Sequence, residues 1–242
     1  MGESVRIKIS GSRALFVIAI TLLLSGILPI IGSVIMQRFL PGQRWVQESF
    51  HSSIEAVGAL VALMLGVLLL LMMKHRKDLA HYVWVSSALI GMGILDGIHA
   101  SIPGGVPFVW LRGTSTLIGG LLFALVWLPK TLCQSRLAKL SPKVVAVVVG
   151  VFGILSILFP NEIPEMLRQG VFTTTAEIMH IFAGLLFLIA TLNFLSRYLN
   201  NQQLDDLLFA SLCLLFSLAS PLFQFSRLWE ADWWFSPSHM CL

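Results

Sequence analysis

Charge is what this chain has least of. Asp, Glu, Lys and Arg make up 12% of its 242 residues, where a soluble domain carries roughly a quarter. Hydrophobic residues make up 57%, and the mean hydropathy is +0.87. Such a surface cannot be wetted, so its solvent is lipid. No polar stretch is long enough for a soluble catalytic or signalling domain. The three cysteines, Cys133, Cys213 and Cys241, lack metal-type or disulfide-type spacing and read as unpaired thiols. A cleavable signal peptide is not expected either. Arg6, Lys8 and Arg13 precede an apolar run over 14–36, longer than the roughly 7–15 residues of a signal core, so it reads as a retained span.

The net charge of +4 and pI near 9.2 invite a nucleic-acid reading. The basic residues exclude it, because they sit in short loops between apolar runs, where they set topology. We expect one all-α domain over 1–242, a polytopic bundle of about seven spans. These fall near 14–36, 46–73, 82–102, 107–129, 144–160, 173–196 and 207–228. With a cytoplasmic N-terminus, the inside holds Arg6, Lys8, Arg13, Lys74, Arg76, Lys77, Lys130, Arg136, Lys139, Lys143 and Arg197. Arg38, Arg44, Arg168 and Arg227 are then outside, and Arg112 lies within a span. This positive-inside bias places the N-terminus in and the C-terminus out.

Turns and small residues fill in the packing. Pro103-Gly104-Gly105 predicts a tight link between the third and fourth spans. Pro160 and Pro164 predict a surface turn before the sixth. Gly91, Gly93, Gly113, Gly119 and Gly120 mark close helix contacts. Trp45, Trp127, Trp229, Trp233 and Trp234 read as boundary anchors. Pro221 is expected to kink the last span, and Gln224 to approach the polar level.

Ionisable residues inside hydrocarbon are expensive and usually functional. Here they are His51 and Glu55 in the second span, Asp96 and His99 in the third, Arg112 in the fourth, and Glu177 and His180 in the sixth. Antiparallel spans bring all seven to one level, in the non-cytoplasmic leaflet, and leave the other half apolar. His75, His81 and His239 read as solvated or interfacial. His51 and Glu55 are i,i+4, while Asp96/His99 and Glu177/His180 are i,i+3, so each pair shares a helix face. Carboxylate–imidazole pairs on facing helices build dimetal sites in bundles. Three imidazoles and a carboxylate also suit one zinc, iron or copper ion.

Haem held by His51, His99 or His180 is a further option, with the carboxylates then orienting the imidazoles. A metal-free ligand pocket and a structural ion-pair network fit the same pattern. Arg112 is either a counter-charge for the carboxylates or a binder of an oxygen-bearing ligand beside the cofactor.

Two stretches carry a resemblance. Phe50-His51-Ser52-Ser53-Ile54-Glu55 and Gly93-Ile94-Leu95-Asp96-Gly97-Ile98-His99 resemble the bacterial membrane-associated sensor (MASE-type) domains. These polytopic sensor regions precede histidine kinases and diguanylate cyclases. The likeness runs over about 48–129 and includes the Trp110/Arg112 region. It implies signal perception in the bacterial inner membrane, with relay to a cytoplasmic signalling partner outside these 242 residues. Membrane lipids and a second copy in a homodimer are the other expected partners. An intramembrane lipid hydrolase or oxidase using the same site is the alternative, and a transporter is disfavoured by the apolar inner half.

Overall fold

The computed structural model describes residues 11–223 and Trp229. It is an all-α bundle with seven helices long and apolar enough to cross a membrane. We label them α1 (Ala14–Phe39), α2 (Glu48–His75), α3 (Leu79–Ala100), α4 (Val106–Trp127), α5 (Arg136–Leu158), α6 (Thr174–Asn201) and α7 (Leu204–Leu222). The first four helices lie within about a turn of the spans expected from hydropathy. α5 begins well before 144 because Pro142 is accommodated inside the helix, α6 runs on to Asn201 rather than 196, and the expected end of the seventh span near 228 lies outside the described residues.

Local signals explain the ends. Ser135 and Thr173 cap α5 and α6, their hydroxyls accepting from the Ala138 and Ala176 amides at 3.1 and 3.4 Å. Lys74 and His75 sit in the last turn of α2, where cations complement the helix dipole. A π turn over Leu23–Ile27 interrupts α1 just before Pro29, whose ring cannot donate to the regular ladder.

The connection between α5 and α6 holds the only sheet among the described residues, β1 (Leu167–Arg168) paired antiparallel with β2 (Val171–Phe172). Gln169 and Gly170 turn it with φ of 53° and 81°, the left-handed pair that a two-residue hairpin requires. A surface turn was expected here, and the hairpin is its form. Its Met166 and Phe172 are buried against Phe108, Ala176 and Trp229.

α3 is the hub. It packs on α2, α4 and α5, while α4 packs on α6, α6 on α7, and α7 on α1. Its apolar window is 72% buried, against 11% for α2, so α2 turns most of its surface to lipid. The glycines mark the contacts, as expected. A Cβ at Gly93 would lie 2.7 Å from Leu63 Cγ and 2.8 Å from the Ala59 carbonyl oxygen. Only glycine lets α2 approach α3 this closely. That approach brings the start of α2 against the end of α3, where the site lies.

Candidate metal centre

Among the described residues, His51, Glu55 and His99 each offer a ligand atom, and these atoms all lie within 4.8 Å of one another. All three residues are buried, at 3%, 1% and 1% exposure. α2 supplies His51 and Glu55 from one face, one turn apart. α3 supplies His99 from its last turn.

The hydrogen bonds orient the pieces. His99 Nδ1 lies 2.7 Å from the Phe108 carbonyl oxygen. A carbonyl only accepts, so Nδ1 carries the proton and Nε2 presents a lone pair. Metal-binding imidazoles are held this way, the far ring nitrogen donating to a carbonyl or carboxylate. His99 Nε2 points at His51 Nε2 across 3.4 Å, longer than a good nitrogen–nitrogen hydrogen bond. Two imidazole nitrogens on one tetrahedral zinc, each at about 2.0–2.1 Å, would stand roughly 3.3–3.4 Å apart. The spacing therefore fits two ligands of one ion, and Glu55 supplies the oxygen. These three residues can hold a metal ion.

Arg112 sits beside the triad. Its Nη1 donates to Glu55 Oε2 at 3.1 Å and to Asp96 Oδ1 at 3.2 Å. One guanidinium thus partners two carboxylates that burial would otherwise penalise. Above the imidazoles lies an apolar roof. Phe108 lies tilted against the His99 ring, 4.0 Å between centres, and Trp229 stands edge-on 5.7 Å from His51. Trp229 is pinned there by its carbonyl, which accepts from the Trp45 amide at 2.8 Å. Comparison with protein-family models, with curated proteins and with solved structures gives no match. The geometry alone must therefore carry the functional reading.

The seven expected residues do not play equal parts. His51, Glu55 and His99 form the triad, Arg112 joins it through Glu55, and Asp96 joins it through Arg112. His180 is buried and lines an adjoining cavity together with Asp96 and Arg112. Its Nδ1 faces Ser220 Oγ at 3.4 Å, and that hydroxyl donates to the His180 carbonyl at 2.9 Å. Glu177 is half-buried in the first turn of α6, and among the described residues its carboxylate joins no ion pair or hydrogen bond. An acid in that turn complements the helix dipole, which is reason enough for its presence. Gln224, Arg227, Trp233, Trp234, His239 and Cys241 lie outside the described residues.

The opposite end of the bundle corrects the expectation that its interior is apolar. Asp206 in the first turn of α7 is fully buried. Its Oδ1 accepts from the Tyr82 hydroxyl at 3.1 Å and from Arg197 Nη2 at 3.2 Å. The Arg197 guanidinium lies 5.6 Å from the centre of the Tyr82 ring and 5.9 Å from that of Phe194. It also reaches His81, which is half-buried. Sequence reading missed this cluster because acids and bases near span ends are usually wet. The available signal was Tyr82, one of only two tyrosines, next to His81.

Proposed function

We propose that this chain is a membrane-embedded metal-binding sensor module, with His51, Glu55 and His99 holding one divalent transition-metal ion. The 3.4 Å spacing of the two imidazole Nε2 atoms, with His99 pre-set by the Phe108 carbonyl, carries this reading. Two imidazoles and a carboxylate suit zinc, and also iron or copper. Haem fits less well. Its two axial nitrogens stand on opposite faces of a wide macrocycle, whereas His51 and His99 meet directly under Phe108.

Sensing follows from where the ligands sit. The triad ties α2 to α3, and Phe108 ties α3 to the start of α4. A bound ion favours the arrangement that brings these helices together, and its loss frees α2, the helix least buried by the others. The resemblance to MASE-type sensor regions supports a bacterial inner-membrane location and a cytoplasmic partner that reads this change. The distribution of basic residues supports placing the site on the non-cytoplasmic side.

Elemental analysis of the purified chain tests the reading. We expect about one metal ion per chain, lost in His51→Ala and in His99→Ala with helical content unchanged. A metal-free protein that stays metal-free after incubation with zinc, iron and copper would overturn it.

One observation favours a second reading, an intramembrane hydrolase or oxidase. Three protein ligands leave a fourth position for water or substrate. Turnover of a lipid substrate that disappears in Glu55→Gln would support that alternative.

A further inference from the structure

A cavity of about 190 Å³ adjoins the triad without including its ligands. α2 and α7 form its two sides, and α3, α4 and α6 form its floor. α2 and α7 are not a packed pair in the bundle, so the space between them is a lateral gap. Its rim on α2 consists of Val57, Val61 and Leu65, which are 61%, 49% and 45% exposed. In a membrane that rim faces acyl chains, so the entrance is from lipid rather than from water. From Val57 to Leu65 the helix rises about 12 Å, so the gap has the length of a chain segment rather than of a single small molecule.

The two ends differ. Toward the middle of the bundle the walls are Leu65, Leu89, Leu212 and Phe216. Toward the triad they are Asp96, Arg112, Thr116, His180 and Ser220. Asp96, Thr116, His180 and Ser220 are each less than 9% exposed. Arg112 is already shared between Asp96 at 3.2 Å and Glu55 at 3.1 Å, so the polar end has no uncommitted positive charge. This shared guanidinium, with two hydroxyls and an imidazole, offers hydrogen bonds but no counter-ion for an anionic head. An anion would enter beside two carboxylates with no cation to spare and lose its hydration, whereas a neutral oxygen-bearing head would keep its hydrogen bonds.

We propose that this cavity is a binding site for a membrane amphiphile with a neutral, oxygen-bearing head group on an apolar chain. The head seats among Arg112, Thr116, His180 and Ser220, and the chain lies between α2 and α7. A lipid alcohol or monoacylglycerol and an isoprenoid quinone share this chemistry. The site does not require a metal in the triad.

The test is photolabelling of the full chain in lipid nanodiscs, with chelator present throughout. One probe is a diazirine-bearing dodecanol, and the other is the matching fatty acid at pH 8. We expect the alcohol to label peptides of α2 and α7 around the cavity, and the fatty acid to label them severalfold less. Competition by unlabelled monoolein identifies a glyceride or alcohol occupant, and competition by a short-chain ubiquinone identifies a quinone, and either result supports the site. Ala219→Leu and, separately, Ala62→Phe fill the cavity from its two sides. Either variant that keeps wild-type helicity and a monodisperse profile should weaken labelling about tenfold. Labelling spread evenly over the lipid-facing helices and unchanged in the folded variants, meaning bulk lipid only, would overturn the proposal. So would stronger labelling by the fatty acid than by the alcohol.

Discussion

The Nε2 atoms of His51 and His99 face each other across 3.4 Å, one from the first turn of α2 and the other from the last turn of α3. Neither position is unusual for its helix. Their meeting depends on the antiparallel register of α2 and α3, and that register depends on small residues at the contact.

Gly93 is the clearest of these. A side chain there meets Leu63 Cγ at 2.7 Å and the Ala59 carbonyl oxygen at 2.8 Å. The backbone oxygen cannot rotate away, so Gly93→Ala must push α2 outward. Overpacking of this kind costs about 1–3 kcal/mol. We expect weaker metal retention as well as lower stability, because the displaced helix carries His51 and Glu55. Metal affinity measured beside a denaturation curve in mixed micelles checks both effects.

Arg112 holds two carboxylates with one nitrogen. Arg112→Met leaves Glu55 and Asp96 buried without their cation, a loss of about 3–5 kcal/mol. Adding Glu55→Gln and Asp96→Asn to the same chain removes the uncompensated charges and should recover most of that stability. Denaturation midpoints of the single and triple variants test this.

Glu177 is expected to be dispensable for the metal. It is half-buried and lies outside the His51–Glu55–His99 group. Glu177→Ala should keep wild-type metal content, where Glu55→Ala loses it. Elemental analysis of the two variants side by side decides the matter.

Acid should strip the ion. The imidazoles bind through unprotonated Nε2, so protons compete with the metal for the same lone pairs. Affinity is full where both imidazoles are neutral and falls as pH drops and they take up protons. Equilibrium dialysis across pH reads this, with loss expected toward low pH and none toward mildly alkaline pH.

Much of this was legible in the sequence. Low charge and seven apolar runs were enough for an all-α membrane bundle. The i,i+3 and i,i+4 carboxylate–imidazole pairs located the polar level. Rotation about each helix was not legible. Glu177 and His180 lie about 60° apart around α6, so one can face the core while the other stays at its rim. Likewise, the Phe108 carbonyl is a backbone group and leaves no mark in a search for ligand side chains. Asp206, Tyr82 and Arg197 were hidden for another reason. Charged groups at span ends are ordinarily hydrated, and only the packing of α3, α6 and α7 dries these.

That second cluster makes an independent prediction. Tyr82→Phe removes a buried hydrogen bond to a carboxylate, a cost of about 1.5–3 kcal/mol. Arg197→Ala should cost more, because it strands Asp206. Neither should change metal content, since neither residue belongs to the triad. Stability curves and elemental analysis on the same samples separate the two ends of the bundle.

X-ray absorption at the zinc edge of zinc-loaded protein tests the central claim most directly. The account predicts one zinc per chain with two imidazole nitrogens and light oxygen donors in its first shell. His99→Ala should lose one imidazole from that shell or lose the metal entirely. A shell without imidazole, or one unchanged in His51→Ala and His99→Ala, would contradict it.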